Sequence, residues 1–251
     1  LKDRGFITDL LQRVEHAGCT TLIMTVDLPV IGSRYRDHRS GMTAPANISN
    51  QLCRLQQLLM RPRWLWDVGL LGGPHTLGNL NSRFSQKASL ADYQRYISEN
   101  FDASTSWDAV EFIRNHWSGR IVLKGILDSQ DAQQALSSGV DGIVVSNHGG
   151  RQLDGALSTA RALPDIVDRI AGDLTVLADG GIESGLDVLR MLALGADGVM
   201  LGRAWCYALA ADGERGVAHM LSLLKDEMRV AMALTGHTSI ASIDRQTLYR
   251  Q

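Results

Sequence analysis

The sequence predicts an α/β protein of the TIM (β/α)8 barrel type, incomplete, with five β/α units countable along the chain. Three observations predict it. Five short apolar segments recur, Thr21 to Asp27, Arg120 to Lys124, Gly142 to Ser146, Leu174 to Asp179 and Asp197 to Gly202, and helix-like periods follow most of them. Such alternation builds a parallel sheet with crossover helices. No glycine fingerprint for a dinucleotide follows the first segment, which argues against an open doubly wound sheet. The residues capable of chemistry fall at the ends of several different segments, as they do in a barrel.

Taken in order, the elements justify themselves locally. Phe6, Ile7, Leu10, Leu11 and Val14 recur at helical spacing and stop at Gly18, so the chain, which starts at Leu1, opens on a helix as if in the middle of a domain. The first strand follows. The stretch at about 40–101 then breaks the rhythm: it is long, carries Leu71-Gly72-Gly73-Pro74 and has no clear strand, so it is expected to be a loop insertion. Within it, Leu58-Leu59-Met60 and Trp64-Leu65-Trp66 lie beside Arg54, Arg61 and Arg63. Two readings stand there, a helix packed on the barrel or on a neighbouring subunit, and a patch resting on a membrane surface. Beyond it, helices are expected at roughly 128–139, 157–171, 184–194 and 213–234. In the last of these, Met220, Leu221, Leu224 and Met228 form a stripe expected to pack on the barrel.

Composition narrows the function. With a net charge of -2 and no basic cluster beyond the neighbourhood of Arg34 and Arg36, a nucleic-acid surface is not expected. The expected ligands are small molecules. Cys19, Cys53 and Cys206 are far apart and form no C-x-x-C, so they read as reduced, mostly packed thiols of a cytosolic protein. The histidines other than His148 lack metal-ligand spacing, so no metal is expected. No signal-peptide pattern opens the sequence, and no apolar run reaches the roughly 20 residues that span a bilayer.

The chemistry sits at strand ends. Gly142-Ile143-Val144-Val145 is a buried-strand run that breaks into Ser146-Asn147-His148-Gly149-Gly150-Arg151, which puts a base and a carboxylate-matching fork side by side at the sheet's open end. Thr25-Val26-Asp27 ends the first strand, so Asp27 would share that mouth and could fix the tautomer of His148; alone, an Asp after a strand is usually a cap or turn residue. Arg34 reads either as a surface residue or as a second guanidinium on the substrate. Lys124, leaving an apolar run, either snorkels outward or points at an anionic ligand. Asp179-Gly180-Gly181 and Gly202-Arg203 each open a helix, where bare backbone N–H groups and a guanidinium suit a phosphate.

These segments carry a resemblance. Thr25-Val26-Asp27-Leu28-Pro29, Lys124-Gly125-Ile126-Leu127, Ser146 through Asp154, Asp179-Gly180-Gly181-Ile182 and Leu194 through Arg203, in that order, resemble the FMN-dependent α-hydroxy acid dehydrogenases and oxidases. The likeness runs through essentially the whole chain. The opening Leu-Lys-Asp-Arg-Gly-Phe, Tyr35-Arg36-Asp37 and Trp66-Asp67-Val68-Gly69-Leu70 are most similar to the bacterial membrane-associated L-lactate dehydrogenases.

The resemblance implies FMN as cofactor and oxidation of an L-2-hydroxy acid, L-lactate above all, with mandelate and glycolate as near alternatives. Electrons would pass to a quinone or other respiratory-chain acceptor. His148 matches the base that takes a proton from the 2-hydroxy acid as its α-hydrogen leaves for flavin N5, and Asp27 matches its partner. Arg34 and Arg151 match the two arginines on the substrate carboxylate. Lys124 matches the lysine near flavin N1 and O2, Thr25 and Ser146 match flavin contacts, and Asp179, Gly180, Gly181, Gly202 and Arg203 match the ribityl and phosphate grip. The resemblance further implies a homo-oligomer in the cytoplasm or peripherally on the cytoplasmic face of the inner membrane.

The family's barrel has eight strands, and the resemblance aligns residues 1–251 with its C-terminal portion, the last five β/α units. The front segment that supplies the first strands, several flavin contacts and two substrate-facing tyrosines has no counterpart here. The five strands are therefore expected to keep their family order as an open arc with two free edges. A chain that folds poorly and binds no flavin is the opposing reading. A phosphate-binding barrel of another kind would lack the pairing of His148 with Arg151.

Overall fold

Five strands, β1 (Thr21–Thr25), β2 (Arg120–Ile126), β3 (Gly142–Val145), β4 (Thr175–Ala178) and β5 (Gly198–Val199), pair in parallel and in chain order. The computed structural model describes residues 2–30, 32, 34–35, 39, 48–73, 76–84 and 90–248. Thr21 stands opposite Arg120, Val122 opposite Gly142, Gly142 opposite Thr175 and Leu177 opposite Gly198. A sequential order without reversal belongs to a barrel and not to a doubly wound sheet. Among the described residues β1 does not pair with β5, so the sheet is an incomplete barrel, an open arc of the kind the sequence predicts.

The start of the sheet is stitched by a repeated pair. Asp141-Gly142 and Asp197-Gly198 open β3 and β5, and each carboxylate reaches back to the neighbouring strand: Ile121 N–H donates to Asp141 Oδ2 at 2.8 Å and Val176 N–H to Asp197 Oδ2 at 2.8 Å. These bonds satisfy backbone donors at the sheet's rim that ladder pairing leaves over. Gly142 is bare because a Cβ there would lie 2.8 Å from the Thr175 carbonyl.

Helices connect the strands, each with a local reason to begin. The first, α1 (Arg4–His16), starts where Asp3 Oδ1 accepts from Phe6 N–H at 2.8 Å. Then come α2 (Ile48–Leu59), α3 (Leu90–Asn100) and α4 (Trp107–His116), the last capped by Ser106. The crossover helices are α5 (Ser129–Ser137), capped by Asp128, α6 (Thr159–Ile170) and α7 (Gly185–Ala193), which opens on a reciprocal capping box between Ser184 and Asp187. α8 (Arg203–Leu234) is interrupted at Asp212 and Gly213, so the helix expected from 213 is its second half.

The core follows from these layers. β3 is buried along its whole length, since helices cover one face and side chains of its neighbours fill the other. Ile121, Leu123, Ile143, Leu163, Ile166 and Leu189 are essentially inaccessible. At the edge, β1 alternates exposed and half-buried residues, with Ile23 45% exposed.

Three expectations are corrected. The stretch at 40–101 is mostly helical where it is described: α2 and α3, a single turn at Pro62–Trp64 running into a π-helix at Leu65–Leu70, and a 3-10 segment at Gly78–Arg83. It falls within one compact unit, residues 1–10 with 30–102, and a second compact unit comprises 11–29 with 103–251. The thiols are not mostly packed, because Cys19 and Cys206 are exposed and Cys53 is half-buried. The α8 stripe holds at Leu224, which is buried, and at Met220 and Met228, which are half-buried, and is corrected only at Leu221, which is 51% exposed. This face packs closely on α7, where Glu227 Oε2 accepts from Gly185 N–H at 2.7 Å and only glycine leaves room for the α8 backbone.

Candidate active site

β1, β2 and β4 deliver one polar group each to the carboxyl end of the sheet, and β3 delivers two. Two residues past β1, Asp27 faces His148, whose Nδ1 lies 3.2 Å from both carboxylate oxygens. The two side chains are 16% and 19% exposed, so the pair is sheltered but reachable. A carboxylate only accepts, so the neutral tautomer of His148 that bonds Asp27 has its hydrogen on Nδ1 and its lone pair on Nε2. Gly125 makes this approach possible. It sits at φ +112 in the bulge where β2 shifts register, and a Cβ there would fall 2.6 Å from the Asp27 side chain.

Lys124, just before that bulge, does not snorkel outward. Its Nζ lies 3.1 Å from Asp179 Oδ2 and donates to Ser146 Oγ at 2.9 Å, with the lysine and aspartate side chains 15% and 14% exposed. Ser146 is fully buried, and the same oxygen accepts from His148 N–H at 3.0 Å. One hydroxyl thus ties the cation to the backbone that carries the base. His148 itself adopts a left-handed conformation, φ 55, uncommon for a residue other than glycine, and is followed by Gly149 at φ 64. That strained corner turns the ring back over the end of the sheet toward Asp27.

On the β4 and β5 side the groups change from acid and base to backbone and guanidinium. Gly180 and Gly181 have φ +93 and +76, and nothing lies within 4 Å of where a Cβ on Gly181 would be. Arg203, the first residue of α8, donates through Nη2 to the Gly149 carbonyl at 3.3 Å. Asn147, Gly149, Gly180, Gly181 and Arg203 line a cleft of about 550 Å³. Asp187 stands on its rim. Burial works against its charge, but the Ser184 hydroxyl, the backbone N–H groups of Glu183 and Ser184, and Arg190 outweigh this and hold its carboxyl below the usual range.

The structure therefore gathers Asp27, Lys124, Ser146, His148 and Asp179 into one mouth, with Gly180, Gly181, Gly202 and Arg203 beside it. Thr25 ends β1 opposite Lys124 with its side chain exposed. Arg151 is exposed next to the base, and its guanidinium makes no hydrogen bond among the described residues. Arg34 lies in the other compact unit, its Nε buried without a hydrogen-bond partner. Arg36 and Asp37, like His38 and His75, lie outside the described residues. Among the described residues no cluster of His, Cys, Asp and Glu is placed to hold a metal ion. The sequence reading missed one thing: Gly125 was legible as a glycine directly after Lys124 but not as the space for Asp27.

An acid-paired imidazole, a sheltered ammonium and a bare-glycine cradle thus meet at the carboxyl end of a parallel sheet, an arrangement whose chemistry fits a phosphate-bearing ligand. The chain belongs to the FMN-dependent dehydrogenase family, whose profile matches residues 1–250. It is 55% identical to an L-lactate dehydrogenase of Alcaligenes faecalis over 251 residues, all of this chain and 65% of that one. It is 56% identical to an L-lactate dehydrogenase of Acinetobacter baylyi over 248 residues, 99% of this chain and 64% of the relative. Among solved structures, a monotopic membrane protein, (S)-mandelate dehydrogenase, superposes with a TM-score of 0.89 at 36% identity, covering 97% of this chain and 64% of that one. A mandelate oxidase superposes with a TM-score of 0.70 at 38% identity over 98% of this chain and 60% of its own. The chain thus spans about 65% of the length of the L-lactate dehydrogenases it matches.

Proposed function

We propose that this protein takes part in FMN-dependent oxidation of an L-2-hydroxy acid, L-lactate to pyruvate, with electrons delivered to a quinone or another membrane acceptor. The observation that carries the reading is the pairing of His148 with Asp27 beside the Lys124–Asp179 ion pair at adjacent strand ends. Lactate is favoured over mandelate by the relatives at 55–56% identity. Mandelate is the second reading, favoured by the TM-score of 0.89.

Three features support FMN as the bound group. Asp179 keeps Oδ1 buried without a hydrogen-bond partner, suited to a ligand hydroxyl. Gly181 leaves open space at the cradle, and Arg203 opens a helix beside it. Lys124, Thr25 and Ser146 would face the ring, and Asp179, Gly180, Gly181, Gly202 and Arg203 the ribityl and phosphate end. FMN, when bound, supplies a two-electron acceptor. The chain's own part is to hold the substrate and move its proton. His148 Nε2 takes the hydroxyl proton of the 2-hydroxy acid, and Asp27 stabilises the imidazolium that results. Arg151 grips the carboxylate as a bidentate fork, and the family resemblance assigns the second fork to Arg34.

A peripheral membrane contact fits the same reading. No helix among the described residues is long and apolar enough to cross a membrane. The helical run from α2 to Leu71 instead shows solvent Leu52, Leu59, Trp66 and Leu70, each at least 60% exposed, with Arg63 among them. Aromatic, aliphatic and cationic side chains in that mix suit the headgroup boundary. Trp66→Glu should lower sedimentation with anionic vesicles and leave soluble-dye turnover intact; unchanged sedimentation would count against the contact.

The deciding experiment is optical. The purified protein should carry a flavin spectrum that L-lactate bleaches anaerobically, faster than mandelate or glycolate does. A colourless protein, or one bleached by none of the three, would remove the reading.

A further inference from the structure

The cleft beside the glycine cradle has one wall to which neither the family resemblance nor the reading above gives a part. α6 begins at Thr159, and the side chain of its N-cap, Ser158, makes no capping bond. The Arg161 and Ala162 N–H groups bond the Ser158 carbonyl, whereas those of Thr159 and Ala160 make no hydrogen bond among the described residues. Ser158, Thr159 and Ala160 line the same cleft as Gly180, Gly181 and Arg203. A free helix start alone would mean little. Here the Thr159 side chain points the same way: the residue is only 2% exposed, and its Oγ1 is buried without a hydrogen-bond partner. That oxygen stands 3.2 Å from where a Cβ on Gly180 would fall, so it touches the cradle turn itself.

A buried hydroxyl that can both donate and accept is normally satisfied, and two bare N–H groups at the positive end of a 12-residue helix attract an anion. One ligand oxygen placed over the turn would meet both needs. We propose that the amino end of α6, the Thr159 hydroxyl with the Thr159 and Ala160 N–H groups, forms a third side of the phosphate site, facing Gly180-Gly181 and Arg203. The proposal rests on the FMN reading and deepens it. A phosphate monoester has three acceptor oxygens and close to two negative charges. A cradle of glycines and one guanidinium leaves acceptor capacity that the α6 donors would fill.

The test separates phosphate from ring by titrating apoprotein with FMN and with riboflavin, which lacks the phosphate. Thr159→Val removes the hydroxyl at nearly constant volume. It should weaken FMN about tenfold, equivalent to about 1.4 kcal/mol, and leave riboflavin affinity unchanged, while Thr159→Ser restores FMN. Should the valine variant fail to fold, Thr159→Ala, which removes the hydroxyl and adds no bulk, carries the same expectation. Unchanged FMN affinity, or equal weakening of FMN and riboflavin, would overturn the proposal, the latter marking the hydroxyl as support for the turn. A wild-type protein that takes up neither flavin overturns the function reading along with it. One that holds FMN and is indifferent to Thr159→Val overturns this inference alone.

Discussion

The mouth at the ends of β2 and β3 and the helical run from Ile48 to Leu71 are both rich in apolar residues, yet they dispose of them in opposite ways. β3 hides every side chain, and Leu123 on β2 is wholly inaccessible, so the polar groups just beyond sit on a rigid, dry base. Along α2 and its continuation, Leu52, Leu55, Leu59 and Met60 are more than half exposed. The lesson is that apolar content does not locate a core. A strand between two neighbours has both faces covered by the fold, whereas a helix outside the sheet needs an external cover for its apolar stripe.

That comparison can be broken, beginning with the largest effect. His148→Gln should cost about 10² to 10⁴ in turnover while the protein stays yellow, because a proton acceptor is lost and the cofactor grip is not. Retained turnover would mean the mouth is not the reacting centre. Leu123→Ala should destabilise by about 2–5 kcal/mol in denaturant unfolding, the cost of a cavity in a site that cannot collapse. A loss under about 1 kcal/mol would show the mouth to be less rigid than its burial implies.

Lys124→Met comes next. It leaves Asp179 sheltered without its partner, which should weaken flavin binding by about 1–3 kcal/mol. It should also lower the flavin reduction potential, since the positive charge that favours the reduced ring is gone. A potential that does not fall would reduce Lys124 to a partner of Asp179 alone. The α7 capping box should give a smaller effect, with Ser184→Ala costing about 1 kcal/mol. Because the Asp187 carboxyl is held below its usual range in the folded state, its contribution is present above the unfolded titration point and is lost as pH falls through the folded one. Asp187→Asn should therefore flatten the acid limb of the stability curve, and an unaltered limb would place the acid sensitivity elsewhere. Smallest of all, Leu52→Ala should change stability by no more than about 0.5 kcal/mol; a core-sized loss would show that its exposed face is covered in solution.

Much of the mouth was legible beforehand, and the reason is positional. A β-branched run that ends in Ser146-Asn147-His148 can only project those residues at the sheet's end, so the gathering of Asp27, Lys124 and His148 follows from strand order. The choice at Lys124 between snorkelling and facing inward was open, since it depends on where Asp179 comes to rest two strands away. The 40–101 stretch was misread because its glycines, prolines and missing strand look like loop, and because the turn at Pro62–Trp64 and the π-helix at Leu65–Leu70 start without a side-chain cap. On α8 only Leu221 falls off the packed face, since the close approach to Gly185 on another helix sets the rotation of α8.

Local pattern was enough to define the β/α rhythm, the all-parallel sheet and the list of chemistry-bearing strand ends, because each depends on periodicity or on the first residues after a strand. Folding in three dimensions decided which of those groups bond one another. It paired Lys124 with Asp179 and Ser146, opened Gly125 for Asp27, and left the Thr159 hydroxyl buried at the cradle. Such pairings join residues dozens of positions apart, and short-range spacing carries no record of them; they exist only once strand register and helix packing bring distant atoms within about 3 Å.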